Sequence, residues 1–159
     1  MKTSRFTPFL IFLGAIAIGC QSTRYTFRHV ETRSEEVSLK QEIVRPTISF
    51  LGIDNRKANP WLRFEVELKN VGKKSVVVQP GRYELLDDEN RRLSPKVEEG
   101  DDPDLSYQIA PKTVFKATLT FEFPRHYDFK KVGSLRLLWN YRVEERTHRY
   151  WTQFVKHTV

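Results

Sequence analysis

Three kinds of side chain in this sequence are suited to chemistry. Cys20 supplies the single thiol in 159 residues. Glu98, Glu99, Asp101, Asp102 and Asp104 place five carboxylates in one short stretch, the natural setting for a hard cation such as calcium, which takes roughly six to eight oxygens. The spacing is not that of an EF-hand and Pro103 restricts how the chain can wrap an ion, so the expected reading is a solvated acidic loop. His29, His126, His148 and His157 show no paired ligand spacing, which leaves zinc without a site. His126-Tyr127-Asp128 puts an imidazole near a carboxylate, but no Ser or Cys stands in a nucleophile setting beside it. The expectation is therefore no catalytic residue, no metal and no cofactor.

The cations are spread more widely. Arg125, Lys130 and Lys131 share one stretch, and Arg56-Lys57, Lys73-Lys74, Arg91-Arg92 and Lys130-Lys131 are dibasic pairs in or beside turns. Such pairs either line an anion-binding fringe or keep sheet edges soluble. The formal charge is +7, and loss of Lys2 and Arg5 with an export signal leaves +5. An excess of that size favours anionic surfaces through salt-sensitive attraction. Nucleic acid is not expected as a partner, because the cations are not gathered on one helix or motif.

The thiol gains meaning from its context. Lys2 and Arg5 precede ten apolar residues, Phe9 to Ile18, too short for a stable span of about 20 residues but right for a signal h-region. The stretch ends Ala17-Ile18-Gly19-Cys20, which resembles the lipobox of bacterial lipoproteins, although Ala17 stands where Leu is usual. The resemblance implies acylation of Cys20, palmitate included, and cleavage before it. More than one acyl chain gives stable anchoring. Gln21 rather than Asp at the next position implies the outer membrane, facing the periplasm, with the inner membrane as the alternative. An ordinary secretory signal with an incidental cysteine is the competing reading.

These groups need a scaffold, and the rest of the chain supplies one. Residues 20–42, beginning at the lipidated Cys, are polar and read as a tether of about 25 Å, with Tyr25, Phe27 and His29 as an alternative edge strand. From residue 43 to 159 strand signals recur. Leu62, Phe64, Val66 and Leu68 alternate with Arg63, Glu65, Glu67 and Lys69, and Phe115 to Phe123 and Leu135 to Val143 repeat the pattern; strict alternation places one face on a core and one in solvent. Asn70-Val71-Gly72-Lys73 and Asp87-Asp88-Glu89-Asn90 read as turns, the first because Asn and Gly tolerate positive φ. No helical period is seen beyond the signal. The spacing predicts an all-β, immunoglobulin-like antiparallel sandwich of about seven strands, after a signal helix over residues 1–19. Its core must hold by packing, with no second cysteine for a disulfide. Trp61, Trp139 and Trp151 are expected in that core or at its ends, any exposed one being a recognition anchor.

Residues 48–141 resemble the telokin-like immunoglobulin-like domains found on bacterial lipoproteins. The resemblance rests on Asn70-Val71-Gly72, Val78-Gln79-Pro80, Tyr83 to Asp88, Ile109-Ala110-Pro111, Phe121 to Pro124 and Leu135-Arg136-Leu137. This chain departs from it where the family often has Gly, at Glu89-Asn90 and at Lys112. The resemblance implies fold and location and carries over no catalytic residue. The function expected from all of this is a lipid-anchored, non-catalytic binding module for another envelope protein or an anionic envelope polymer. An inhibitor or chaperone-like carrier of an exported protein is the alternative. The two longest loops, residues 94–106 with Glu98, Glu99, Asp101, Asp102 and Asp104 and residues 124–133 with Arg125, Lys130 and Lys131, are the expected recognition surfaces.

Overall fold

The computed structural model describes residues 25–35, 43–54, 59–96, 102 and 104–158. Cys20 and the segment expected to be a signal, Arg56-Lys57, and Glu98, Glu99 and Asp101 lie outside the described residues.

Among the described residues, ten antiparallel strands form two sheets. In one, β3 (Trp61–Asn70) lies between β2 (Val44–Asp54) and β8 (Val114–Glu122). In the other, β10 (Arg146–Thr158) lies between β1 (Tyr25–Ser34) and β9 (Ser134–Val143). The far side of β9 takes two short strands in succession. β5 (Glu84–Asp87) pairs its first half and β4 (Val76–Val78) its end, and the 3-10 turn Pro80–Arg82 links the two. β6 (Arg92–Leu93) and β7 (Tyr107–Ile109) finish this sheet outside β5 and β4.

The alternation read from the sequence is what joins the sheets. Leu62, Phe64, Val66 and Leu68 of β3 and Leu135, Leu137, Trp139 and Tyr141 of β9 are almost wholly buried. Phe64 bridges the layers, with its ring 5.9 Å from Phe121 in its own sheet and 5.0 Å from Phe154 in the other. Each such side chain contributes about 1.5–3 kcal/mol through burial. Trp139 donates its indole N–H to Thr152 Oγ1 at 3.0 Å, so its one polar atom stays paired.

The sandwich begins earlier than residue 43. Tyr25–Ser34 pairs with β10 along its length, and Phe27 is buried against Phe50 at 5.3 Å. Within the stretch expected as a tether, residues 25–34 thus form the edge strand that Tyr25, Phe27 and His29 offered as the alternative. Its signal is weak because a register shift between His29 and Glu31 breaks the alternation and turns Val30 outward. Among the described residues the core cluster lies between Phe27 and Phe154, so a chain starting at Gln21 keeps every group of it and should fold by itself.

The Asn70 turn forms as expected but for another reason. Neither Asn70 nor Gly72 has positive φ. Fully buried Asn70 instead donates Nδ2 to the carbonyls of Lys74 and Ile109 at 2.8 and 3.0 Å and accepts the Gly72 N–H. Gly72 is required because a Cβ there would meet Ile43 Cγ2 at 2.9 Å. Left-handed backbone occurs at both departures from the resembled family, Asn90 (φ 59°) and Lys112 (φ 66°), and also at His126 and Glu144.

Candidate functional site

Asp87 ends β5, and its buried carboxylate organises the turn beyond that strand. Oδ1 accepts the N–H groups of Glu89 and Arg91, both at 2.9 Å, and Oδ2 accepts the Tyr127 hydroxyl at 2.6 Å with Arg91 Nε 3.2 Å away. Arg91 also pairs with Glu89 and lies 5.0 Å over the Tyr127 ring. Burial, reinforced by Asp87, pushes the Tyr127 phenol well above its usual range, so it stays protonated as a donor.

Asp88 grips the other end of the same loop. It accepts the Ser134 N–H at 3.0 Å, and also the Gly133 N–H and the Ser134 hydroxyl. Burial alone would raise its pKa; the hydroxyl and the two amides outweigh that and hold the carboxyl below its ordinary 3.8. Phe129 and Val132 are buried in the core, and Phe129 stands 5.0 Å from Phe123 and 4.8 Å from Tyr127. Lys156 closes the loop from beneath by donating to the carbonyls of Phe129 and Lys130 at 3.2 and 2.6 Å. A rigid platform results, with a cleft of about 300 Å³ between it and the Asp87 turn.

On that platform Arg125, Lys130 and Lys131 are exposed, and Arg125 and Lys131 line the cleft. Among the described residues none of the three has a carboxylate within ion-pair distance. His126 (φ 66°) and Asp128 are also exposed, and no hydrogen bond joins them; Asp128 instead caps the Lys130 N–H at 3.0 Å. Of His126-Tyr127-Asp128, the middle residue is the one that ties the loop to the Asp87 turn.

The acidic loop is only partly described. Asp104 pairs with Arg82 Nε at 2.7 Å, and the Arg82 guanidinium holds its carboxyl below the usual range. Asp102 accepts the Asp104 N–H at 2.8 Å. Neither shares a cluster of metal-binding side chains with another among the described residues. Asp104 meets Arg82 in the 3-10 turn before β5, whereas Tyr127 meets Asp87 at the end of that strand. Three dibasic members are neutralised, Lys74 by Glu144, Arg91 by Asp87 and Glu89, and Arg92 by Glu84.

Sequence reasoning missed Asp87, Asp88 and Tyr127 as organisers of the site. Their turn and loop positions were legible, but the partners lie 40 and about 45 residues away along the chain, and no local pattern reports such a pairing.

No family model matches the chain, and no curated protein matches it. Among solved structures, it is similar to the yjhA protein from Bacillus subtilis, at 15% identity and a TM-score of 0.41 over 63% of this chain and 76% of that one. It is also similar to a Bordetella pertussis protein, at 16% identity and a TM-score of 0.42 over 71% and 89%. Likenesses at this level carry no function across.

Proposed function

We propose that the protein is a lipid-anchored, non-catalytic envelope lipoprotein whose sandwich holds a macromolecular partner, another envelope protein or an anionic envelope polymer, at the loop of residues 124–133. Supporting the anchor are the apolar signal and the Ala17-Ile18-Gly19-Cys20 motif. The observation that carries the binding role is the braced loop. Two carboxylates, Asp87 and Asp88, brace it while Arg125, Lys130 and Lys131 stay exposed and form no ion pair among the described residues. A loop held rigid before binding loses little entropy on docking, which is how a small basic surface gains affinity. Inhibition would need an apolar loop tip, and Phe129 and Val132 of this loop are turned into the core.

Two measurements test the proposal. Cys20→Ser should abolish palmitate labelling and leave the protein uncleaved or soluble in the periplasm; continued labelling would refute the anchor. Capture from the detergent-solubilised native envelope should weaken when Lys130 and Lys131 are both changed to Glu, and hold when Asp102 and Asp104 are both changed to Lys. If only the second pair weakens capture, the partner is basic and meets the acidic loop instead.

A further inference from the structure

The outward face of the seven-stranded sheet carries an excess of arginine. Strand register places Arg28 and Arg33 of β1, Arg149 of β10, Arg136 and Arg142 of β9 and Arg92 of β6 on this one face. Against those six arginines stand three glutamates, Glu31, Glu35 and Glu84. Glu31 pairs with Arg33 at 2.7 Å and Glu84 with Arg92 at 2.9 Å. Arg136, Arg142 and Arg149 have no carboxylate within ion-pair distance among the described residues. The outward face of the opposite sheet is nearly balanced, with Arg45, Arg63, Lys69, Lys96 and Lys116 against Asp54, Glu65, Glu67 and Glu122. The basic excess therefore lies mainly on one face.

Trp151 lies in the middle of the arginines. The Arg33 and Arg136 guanidiniums sit 5.6 and 5.1 Å from its ring centroid, one from each neighbouring strand. Val155 on the same face is 41% exposed, and Val30, pushed out where β1 shifts register, is 55% exposed. A flat array of arginines with an amphipathic indole and scattered aliphatic groups has the composition of a membrane-interface surface. Trp settles at headgroup depth, and each basic side chain near an anionic leaflet gains about 1 kcal/mol.

We infer that this face lies on an anionic phospholipid leaflet, the one that holds the acyl chains of Cys20, by way of Trp151 and its flanking arginines. The inference rests on the lipid-anchored reading for its choice of leaflet. Charge complementarity is one argument for that occupant and chain length is the other. Four residues separate Cys20 from Tyr25, so the five steps of chain reach at most about 18 Å, and Tyr25 begins the edge strand of this very sheet. A domain tied so closely by its edge strand can lay that sheet on the surface. A linear polymer would be better served by a deep groove than by a flat array.

The test uses residues 21–159, which lack both the signal and Cys20, so binding here does not depend on lipidation. Sedimentation with vesicles of mixed phosphatidylglycerol and phosphatidylcholine should bring the protein down in low salt. Vesicles of phosphatidylcholine alone should not. Changing Arg136 and Arg149 together to Glu should reduce binding at least ~10-fold, whereas Arg63→Glu on the opposite sheet should change it little. Lipids brominated near the headgroup should quench fluorescence in the wild type and fail to do so in Trp151→Phe.

Equal binding to both vesicle types, equal loss on Arg63→Glu, or quenching that survives Trp151→Phe would each overturn the inference. So would binding to dextran sulfate with none to vesicles, which would assign the face to a polymer. Palmitate labelling of the full chain decides the anchor separately. A labelled Cys20 with no vesicle binding sinks the face alone. Vesicle binding without labelling sinks the anchored reading and, with it, the choice of leaflet.

Discussion

Tyr127 donates its hydroxyl to Asp87 Oδ2 at 2.6 Å, joining the loop before β9 to the turn after β5 across 40 residues of chain. The contact is where two surface segments become one site. It predicts unequal effects for its two partners. Asp87→Ala strands two backbone N–H groups and the phenol at once and should cost about 3 kcal/mol, whereas Tyr127→Phe removes a single hydrogen bond and should cost about 1–2 kcal/mol. Denaturant midpoints would check this, and equal costs would show that Asp87 is not the hub.

Asp88 makes the loop sensitive to pH. Its carboxyl is held below the ordinary 3.8, so the folded state binds that proton less readily than the unfolded chain does. The stabilisation is complete above about pH 5 and drains as pH falls through 3.8 towards the lowered native value. Protection of the Gly133 and Ser134 amides, relative to their intrinsic exchange rate at each pH, should fall in that window, before that of the core amides of β3. Asp88→Asn should remove the dependence, and protection that persists in the wild type at about pH 2 would contradict it.

Lys112 holds a left-handed backbone, φ 66°, while its N–H donates to the Asn70 carbonyl at 2.9 Å and Nζ to the Val71 carbonyl at 2.9 Å. Glycine and alanine both lose the Nζ bond, so comparing them isolates the backbone cost. Lys112→Gly should be more stable than Lys112→Ala by about 1 kcal/mol, because a Cβ at positive φ costs about 1–2 kcal/mol and glycine's extra unfolded-state entropy returns part of it. Equal thermal midpoints would show that the turn relaxes instead.

How far the sequence could be read depended on how local each feature is. β3, β8 and β9 carry unbroken alternation, so both their existence and their buried faces were legible from Leu62, Phe121 and Leu135 onward. β7 has three residues, too little pattern to stand out from loop, and β1 alternates only from Tyr25 to His29 before its register shift, so it was legible only as the alternative to a tether. The loop cations were legible as an exposed set, but the brace beneath them was not, since Asp87 and Asp88 look like any turn acids until Tyr127 and Ser134 arrive from far along the chain. The arginine face was hidden for a related reason. Arg33, Arg136 and Arg149 come together only through strand register, and no pair of them is adjacent in sequence.

Whether the sandwich starts at Tyr25 or near residue 43 can be decided with Phe27. A residue in a solvated tether contributes nothing to folding, so its truncation would leave stability unchanged. Phe27 is 3% exposed and packs edge-to-face on Phe50 at 5.3 Å, under strand pairing that runs from Tyr25–Thr158 to Ser34–Tyr150. Phe27→Ala should therefore cost about 3 kcal/mol, the lower end of the range for a buried ring because an edge strand relaxes around the gap. Arg28→Ala, one position along and pointing outward, should stay within about 0.5 kcal/mol of wild type. Urea unfolding of residues 21–159 measures both, and an unchanged denaturant slope would show that the loss is in packing rather than in how much surface unfolds. If Phe27→Ala proves as mild as Arg28→Ala, β1 is not part of the cooperative unit. β10 would then be the edge of the sheet, and the chain after Cys20 would be free to act as a long tether.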